Sequence, residues 1–215
     1  MSTKTLRTMA VAVVLALSAP FGAFAAGHDG QGTPAFAPYT APRAEEAIDL
    51  NYMRGEEKFS RDLYLGFAEF WDIAPFALVA NAEQRHMDAV LRALRRYGLP
   101  DPVAGTLAGE FRDVELQALY AALLEKGLAN PLDALRVGGL VEEVDLLDLE
   151  YSAMRTTNAD IARLYENLAC GARNHLRAFA EGIRTLAGQA YVAQSMSQEA
   201  VDAILQQPRQ RCGRP

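Results

Sequence analysis

Glu83 and His86 are the residues whose types and spacing most directly indicate chemistry. A separation of three residues places both side chains on one face of a helix, where they can bind the same metal ion. Glu-x-x-His is the ligand pair that helices contribute to carboxylate-bridged di-metal bundles. A single match is a weak signal, but both residues continue an apolar stripe that the helical period predicts to be buried. That stripe consists of Phe76, Val79, Glu83, His86, Val90, Leu94 and Tyr97.

Three further stripes are apolar except at one or two positions. The exceptions are Glu57, the pair Glu142 and Asp145, and His175. Burying unpaired carboxylates costs several kcal/mol each, so a group of them on inward faces needs a counter-charge. Two divalent or trivalent metal ions are the simplest source of that charge. We therefore predict a metal site formed by Glu57, Glu83, His86, Glu142, Asp145 and His175.

Other assignments of these acidic residues remain open at this stage. Glu56 lies on a second apolar line of the same helix and competes with Glu57, which we prefer as the ligand. Glu143 is expected to point sideways from the ligand stripe. The acids could instead face solvent or pair with arginines of the bundle, for which Arg61, Arg85 and Arg173 are the candidates.

The helix that carries His175 supplies a histidine without an accompanying acid. The position three residues earlier is Ala172, where a complete set of di-metal ligands would have glutamate. Asp145 could replace the missing carboxylate, or the site could be mononuclear or asymmetric. Tyr64 and Tyr165 are predicted near the metal layer, as hydrogen-bonding or redox-active neighbours or as core residues.

Helical periodicity covers nearly the whole chain after residue 43, and no strand-like alternation of useful length occurs. The short connections predict two antiparallel hairpins of long helices. More than thirty residues separate the second long helix from the third long helix. We therefore predict an all-α, ferritin-like four-helix bundle with one long crossover that carries a short helix, followed by a short C-terminal helix. An up-down bundle with a capping helix is the alternative. The predicted helices span about 44–71, 75–97, 114–126, 131–154, 159–186 and 198–207.

Composition limits the classes of function. The chain has 215 residues, a net charge of -6, and only three histidines against 27 acidic residues, so carboxylates must do most of any metal or acid–base chemistry. An acidic chain lacks the basic face needed for non-specific nucleic-acid binding. No segment after the N-terminus is apolar enough to span a membrane.

The N-terminus predicts export. Lys4 and Arg7 precede an apolar run, and Ala23-Phe24-Ala25 fits a signal-peptidase site. We expect a signal peptide over 1–25, a flexible leader over 26–43, a bundle domain over 44–206 and a polar tail over 207–215, with the mature protein in the periplasm or outside the cell. An oxidising compartment would allow Cys170 and Cys212 to pair. The favoured interpretation is nevertheless one buried thiol and one thiol in the tail.

Long segments of the chain resemble a bacterial ferritin-like family labelled domain of unknown function 2202. The resemblance covers about residues 44–206 and implies a four-helix bundle related to rubrerythrins and ferritins, without an established reaction. The ligand pattern of that wider superfamily would assign Glu57, Glu83 with His86, Glu142, and His175. The segments are EEKFSRDLYLGFAEFWDI, ANAEQRHMDAVLRALRRYGLPDP, GEFRDVELQALYAALLEKG, VEEVDLLDLE and YENLACGARNHLRAF.

Three hypotheses about function follow. The first is an exported di-iron protein that reacts with dioxygen or peroxide as an oxidase, peroxidase or ferroxidase, since glutamate and aspartate suit hard iron ions. Manganese or another divalent metal would fit the same ligands. The second is a non-catalytic metal-binding or interaction module of the cell envelope, and the third is a structural bundle whose buried acids pair with arginines. The oligomeric state cannot be predicted from these residues.

Overall fold

The computed structural model describes residues 40–213, and within them the protein is all-helical without a strand. The predicted signal peptide and most of the predicted leader lie outside the described residues. None of the described helices is both long enough and apolar enough to cross a membrane. The helices are α1 (Ala44–Phe70), α2 (Phe76–Arg96), α3 (Val114–Leu128), α4 (Pro131–Arg155), α5 (Ala159–Ala187) and α6 (Gln198–Leu205).

Side-chain caps explain why several helices begin where the sequence predicted. The side chain of Asn130 accepts a hydrogen bond from the backbone N–H of Asp133, and Pro131 occupies the first helical turn of α4. Asn158 caps α5 in the same way, and Ser197 caps α6. These caps satisfy backbone donors that the first turn of a helix leaves unpaired.

The four long helices form a bundle of two hairpins, one of α1 with α2 and the other of α4 with α5. Hydrogen bonds join Tyr52 to Asp148 and Tyr64 to Gly138, so α4 runs antiparallel to α1. An ion pair joins Arg96 near the end of α2 to Asp160 at the start of α5, so these helices are antiparallel too. Since each hairpin is itself antiparallel, α2 and α4 must point the same way. The segment between them therefore crosses the length of the bundle, which confirms the predicted fold class.

Two buried basic residues hold this crossover against α1. The ammonium of Lys58 forms an ion pair with Asp62 and donates to the carbonyls of Leu107 and Glu110 at 2.8 and 3.0 Å. One turn earlier, Arg54 forms a two-point ion pair with Asp101 at 3.1 Å. Both residues lie within three positions of Glu57, so these contacts also fix the part of α1 that carries this carboxylate.

The core is divided into two apolar clusters along the bundle axis. One contains Phe67, Phe76 and Phe179, and the other contains Leu50, Val90 and Leu149 among its members. On each long helix, the predicted ligand positions fall between residues of one cluster and residues of the other. The charged side chains therefore form a polar layer with apolar packing on both sides.

The favoured prediction of two unpaired thiols is wrong. Cys170 on α5 and Cys212 near the C-terminus form a disulfide. Neither residue is fully buried, since α5 presents Cys170 at the boundary of the bundle rather than in its core. The predicted polar tail is consequently held against α5 in its described part.

Candidate metal centre

Glu83 lies between the two imidazoles of the polar layer. Its Oε2 atom is 2.8 Å from Nδ1 of His86, and its Oε1 atom is 2.7 Å from Nδ1 of His175. The two imidazole rings stack with their centroids 5.2 Å apart. Ligand atoms of these three residues all lie within 4.8 Å of one another, a spacing at which they could hold a metal ion.

A second carboxylate flanks each imidazole. Glu57 Oε2 on α1 is 3.2 Å from Nδ1 of His86, and Glu142 Oε2 on α4 is 3.4 Å from Nδ1 of His175. All three glutamates are at least 98 % buried. The cluster thus consists of two similar halves, each with one imidazole and one carboxylate, joined by the carboxylate of Glu83.

Asp145 adds a fourth carboxyl group to this polar layer. It lies one turn beyond Glu142 on α4 and is buried. Burial raises the pKa of Asp145 well above its usual value, and repulsion from Glu57, Glu142 and Glu83 raises it further. The structure therefore brings five of the six predicted ligand residues into direct contact, and Asp145 interacts with them through charge from the same face of α4.

The protons in this cluster are distributed unevenly. Burial raises the pKa values of Glu57 and Glu142 to about 7. Burial alone would also raise the pKa of Glu83, but its two histidine neighbours hold it well below the usual value. Burial lowers the pKa of His175, but Glu83 and Glu142 outweigh this effect and raise it to about 10. Without a metal, positive charge near Glu83 therefore comes from protonated imidazoles.

Two polar atoms in the layer that could bind a metal lack a hydrogen-bond partner of good geometry among the described residues. Glu57 Oε1 is buried and accepts no hydrogen bond, and Nδ1 of His175 makes none of acceptable geometry despite its short distance to Glu83. These atoms belong to opposite halves of the cluster. Buried polar atoms normally have hydrogen-bond partners, so two unpartnered atoms in one buried layer are consistent with a site that binds a cation.

Tyr64 supports Glu142 from α1. Its hydroxyl lies 2.6 Å from Glu142 Oε1 and 3.3 Å from the carbonyl oxygen of Gly138. The ring is fully buried and packs on Phe179, so its position is fixed. The predicted hydrogen-bonding role of Tyr64 therefore has the required geometry, and this contact holds Glu142 with its other oxygen toward His175.

Tyr165 lies elsewhere. Its charged neighbours are Asp49, Glu46 and Arg155, and it packs in the apolar cluster that contains Leu50. Tyr165 lies ten positions before His175 on α5, which corresponds to about 15 Å along the helix axis. Tyr165 therefore does not contact the cluster.

Glu56 and Glu57 occupy different surroundings. Glu57 contacts His86, whereas Glu56 interacts with Tyr52 and with Asp148 on α4. Glu143 is also directed away from the ligands, as expected. It is fully buried and accepts hydrogen bonds from the hydroxyl of Tyr191 and from backbone N–H groups of residues 194–196.

The three arginines considered as counter-ions bind elsewhere. Arg61 forms an ion pair with Asp62, and Arg85 donates to the backbone carbonyl of Asn81. Arg173 donates to the side chain of Gln210. Among the described ion pairs, the cluster acids have only histidine partners, so arginine pairing does not account for their burial.

Gly171 is part of the site, a role that was not among the predictions from the sequence. A Cβ atom at this position would lie 2.3 Å from Nε2 and 2.4 Å from Cε1 of His86. The imidazole of His86 therefore rests on the backbone of α5, with Nδ1 directed at the carboxylates. The signal available in the sequence was a glycine on the same stripe as His175, inside a long helix that glycine destabilises.

The fold and the cluster define an all-α bundle whose buried layer combines carboxylates with two imidazoles. The chain belongs to the family described as an uncharacterized protein domain (DUF2202), whose model matches residues 46–208. It is 41 % identical over 167 residues to the uncharacterized protein MJ0754 of Methanocaldococcus jannaschii, covering 78 % of this chain and 90 % of that protein. A crystal structure of hypothetical protein MJ0754 superposes with a TM-score of 0.78 at 39 % identity, covering 82 % of this chain and 100 % of the other.

Proposed function

We propose that this protein binds two metal ions, with iron as the preferred metal, through a site bridged by Glu83. The observation that carries the proposal is the position of Glu83 between Nδ1 of His86 and Nδ1 of His175. One ion would be held by Glu57, His86 and one oxygen of Glu83. The other would be held by Glu142, His175 and the second oxygen of Glu83.

The charges of the layer fit this assignment. Four ionised carboxylates, from Glu57, Glu83, Glu142 and Asp145, balance two divalent cations when both imidazoles are neutral. In the absence of a metal, the raised pKa values of Glu57, Glu142 and Asp145 indicate that these acids retain protons. Glu83, whose pKa is lowered, faces histidines whose pKa values are raised. Carboxylate and imidazole ligands suit iron and manganese, whereas structural zinc sites usually contain thiolates.

An iron pair in such a site supplies redox chemistry with dioxygen or peroxide. The residues of this chain would orient the ions and keep them apart from bulk water. Tyr64 would hold Glu142 in place, and Gly171 would allow His86 to approach the cluster. We infer oxidation of ferrous iron, or reduction of peroxide, as the reaction class to test first.

A non-catalytic metal-binding role is the second candidate, and Ala172 is the observation that favours it. The side chain at this position is an alanine that is fully buried, so α5 contributes no carboxylate. Fewer anionic ligands stabilise ferric iron less well. A site with this ligand set could retain divalent ions without turning over.

Metal analysis of purified protein separates these proposals. The protein is prepared without chelator, its iron and manganese are counted per chain, and the metal-free form is supplied with ferrous iron in air while ferric iron is assayed. Two bound ions with oxidation faster than in buffer alone support the redox role. Two bound ions without oxidation support storage or structure, and the absence of binding would contradict both.

We further propose that the protein acts outside the cytoplasm. The signal-peptide pattern at the N-terminus supports this location, and the Cys170–Cys212 disulfide is the kind of bond that persists in oxidising compartments. Mass spectrometry of the protein from fractionated native cells tests the proposal. A mature N-terminus at residue 26 in the exported fraction is expected, and a full-length cytoplasmic chain would contradict it.

A further inference from the structure

Residues 191–212, here called the C-terminal strap, pack against α4 and α5 at the level of the metal cluster. The strap contains α6 and ends at the disulfide. Several residues of the long helices hold it, among them Glu143, Cys170 and Asn174. Each of these three is adjacent in sequence to a residue that forms or supports the cluster, namely Glu142, Gly171 and His175.

The first attachment is at Glu143, directly after Glu142. The buried carboxylate of Glu143 accepts from the hydroxyl of Tyr191 at 2.6 Å and from three successive backbone N–H groups, of Gln194, Ser195 and Met196, at 2.6–3.0 Å. Gly139, one turn earlier, leaves room for the ring of Tyr191, which a Cβ atom would approach to 2.4 Å. This end of the strap therefore fixes α4 beside Glu142.

The second attachment is on α5. Asn174 and Gln210 exchange two hydrogen bonds of 2.9 and 3.0 Å between side chain and backbone, and Asn174 also lies 3.2 Å from the sulfur of Cys212. Asn174 directly precedes His175. Cys170, which carries the disulfide, directly precedes Gly171, on which His86 rests.

Helix geometry connects these attachments to the site. Successive residues of an α-helix point about 100° apart, so a residue beside an inward ligand can contact a segment on the outside. The strap joins α4 to α5 through residues next to Glu142, His175 and Gly171. It therefore limits how far the two helices can separate or rotate at the level of the cluster.

We propose that the C-terminal strap positions the metal ligands of α4 and α5, and that the Cys170–Cys212 disulfide makes metal retention dependent on redox state. A dithiol reductant would break the S–S bond, supplying two electrons and two protons to form two thiols while becoming a disulfide itself. The inference rests on the proposed metal-binding function. It adds that the oxidised protein holds its metal more tightly than the reduced protein.

The disulfide is the part of the α5 attachment that matters most. The hydrogen bonds from α5 to the strap, which join Asn174 and Arg173 to Gln210 and Arg177 to the carbonyl of Ile204, are only partly buried and contribute little each. The covalent link closes a loop over a sequence separation of 42 residues, which restricts the strap far more than those contacts alone. Loss of residues that orient metal ligands typically weakens metal binding about 10- to 100-fold, and we expect a decrease in this range.

The test measures Co²⁺ affinity by anaerobic titration, following the visible absorption of the bound ion. Three samples are compared: the oxidised protein, the same protein after reduction and removal of the reductant, and the double variant Cys170→Ser/Cys212→Ser. Ala203→Ser, at an exposed position of α6, is the control variant. Circular dichroism and limited proteolysis of the strap accompany each titration.

The inference predicts Co²⁺ affinity at least about tenfold lower in the reduced and double-serine proteins than in the oxidised protein and the control, with unchanged helix content and faster cleavage of the strap. Equal affinities in all four samples would overturn the inference and leave the proposed metal site standing. Loss of helix in both the reduced and the double-serine proteins would also overturn it, because the disulfide would then hold the fold. Failure of the oxidised protein to bind Co²⁺ would overturn the proposed function, and the inference with it.

Discussion

Oε1 of Glu83 and Nδ1 of His175 lie 2.7 Å apart, although they come from α2 and α5 in different hairpins of the bundle. The other oxygen of Glu83 contacts His86, one turn away on its own helix. One buried carboxylate therefore links the two imidazoles across the bundle interior. This relationship requires both hairpins to be in place, so the site forms only in the assembled bundle.

Replacing the linking carboxylate of Glu83 should reduce the number of bound metal ions more than replacing the flanking carboxylate of Glu57. Glu83→Gln removes a charged ligand from both halves, so we expect fewer than about 0.5 metal ions per chain at a concentration that saturates the unaltered protein. Glu57→Gln affects one half, so about one ion should remain. Metal counting after dialysis makes the comparison, with Glu69→Gln on the exposed side of α1 as the control. Equal loss in the two site variants would argue against a bridging role.

The metal-free protein should lose stability as the pH rises from 5.5 to 8.5. The folded-state pKa values of Glu57 and Glu142 are raised to about 7 from 4.5. The folded protein therefore binds more protons than the unfolded chain between pH 4.5 and 7, and its free energy of unfolding decreases as the pH rises through that range. The pKa of His175 is raised to about 10 from 6.5, and its contribution is lost over that higher range. Glu83 has a lowered pKa and acts only below about 4.5, outside this window.

Bound metal should reverse the trend, because it replaces the protons and binds the deprotonated ligands. The increase in Tm on adding Mn²⁺ should therefore be larger at pH 8.5 than at pH 5.5. Thermal unfolding with and without chelator measures both effects. The double variant Glu57→Gln/Glu142→Gln should flatten the metal-free profile, and an unchanged slope would count against the assignment of these protons.

Gly171→Ala should disturb the site more than the helix. Alanine is the better helix former, but its Cβ would overlap the ring of His86. We expect helix content to be retained while metal affinity falls about tenfold or more. Gly55→Ala is the matched control, because nothing lies within 4 Å of a Cβ there, and it should stabilise α1 by up to about 1 kcal/mol. Metal binding by Gly171→Ala at the level of the control would contradict this role.

Glu46 should contribute to folding without affecting metal binding. Burial alone would raise its pKa, but hydrogen bonds from Thr156, Arg43 and Thr157 outweigh that effect and lower it to about 2. Its contribution is therefore present above pH 4.5 and is lost as the pH falls toward 2. Glu46→Gln should cost about 2 kcal/mol at pH 7 by urea unfolding, with unchanged metal content. The control is Glu45→Gln, at an exposed neighbouring position; a similar cost there would show that the loss is not specific.

The sequence was sufficient to predict which faces of the helices are buried. A periodic stripe gives the direction of a side chain around the helix axis. It was therefore enough to predict that four residues lie on inward faces: Glu83, His86, Glu142 and His175. The same stripe does not give the height of a side chain along the bundle axis. For this reason the prediction that Tyr165 lies near the metal layer is wrong: its ring packs in the apolar cluster that contains Leu50.

Contacts between distant segments could not be predicted from local patterns. The pairing of Cys170 with Cys212 depends on how the chain returns to α5 after α6, and nothing near either cysteine encodes that path. Likewise, the close approach of Gly171 to His86 depends on the spacing of α2 and α5. The choice between Glu56 and Glu57 as the ligand also depends on the position of α4, which places Asp148 beside Glu56.

Electron paramagnetic resonance of the Mn²⁺-loaded protein tests the central claim most directly. Two Mn²⁺ ions joined by the carboxylate of Glu83 would be magnetically coupled, whereas isolated Mn²⁺ gives a simple six-line spectrum. We predict two bound ions per chain with a coupled spectrum that disappears in Glu83→Gln. A six-line spectrum from the fully loaded unaltered protein, or no bound Mn²⁺, would contradict a bridged two-metal site.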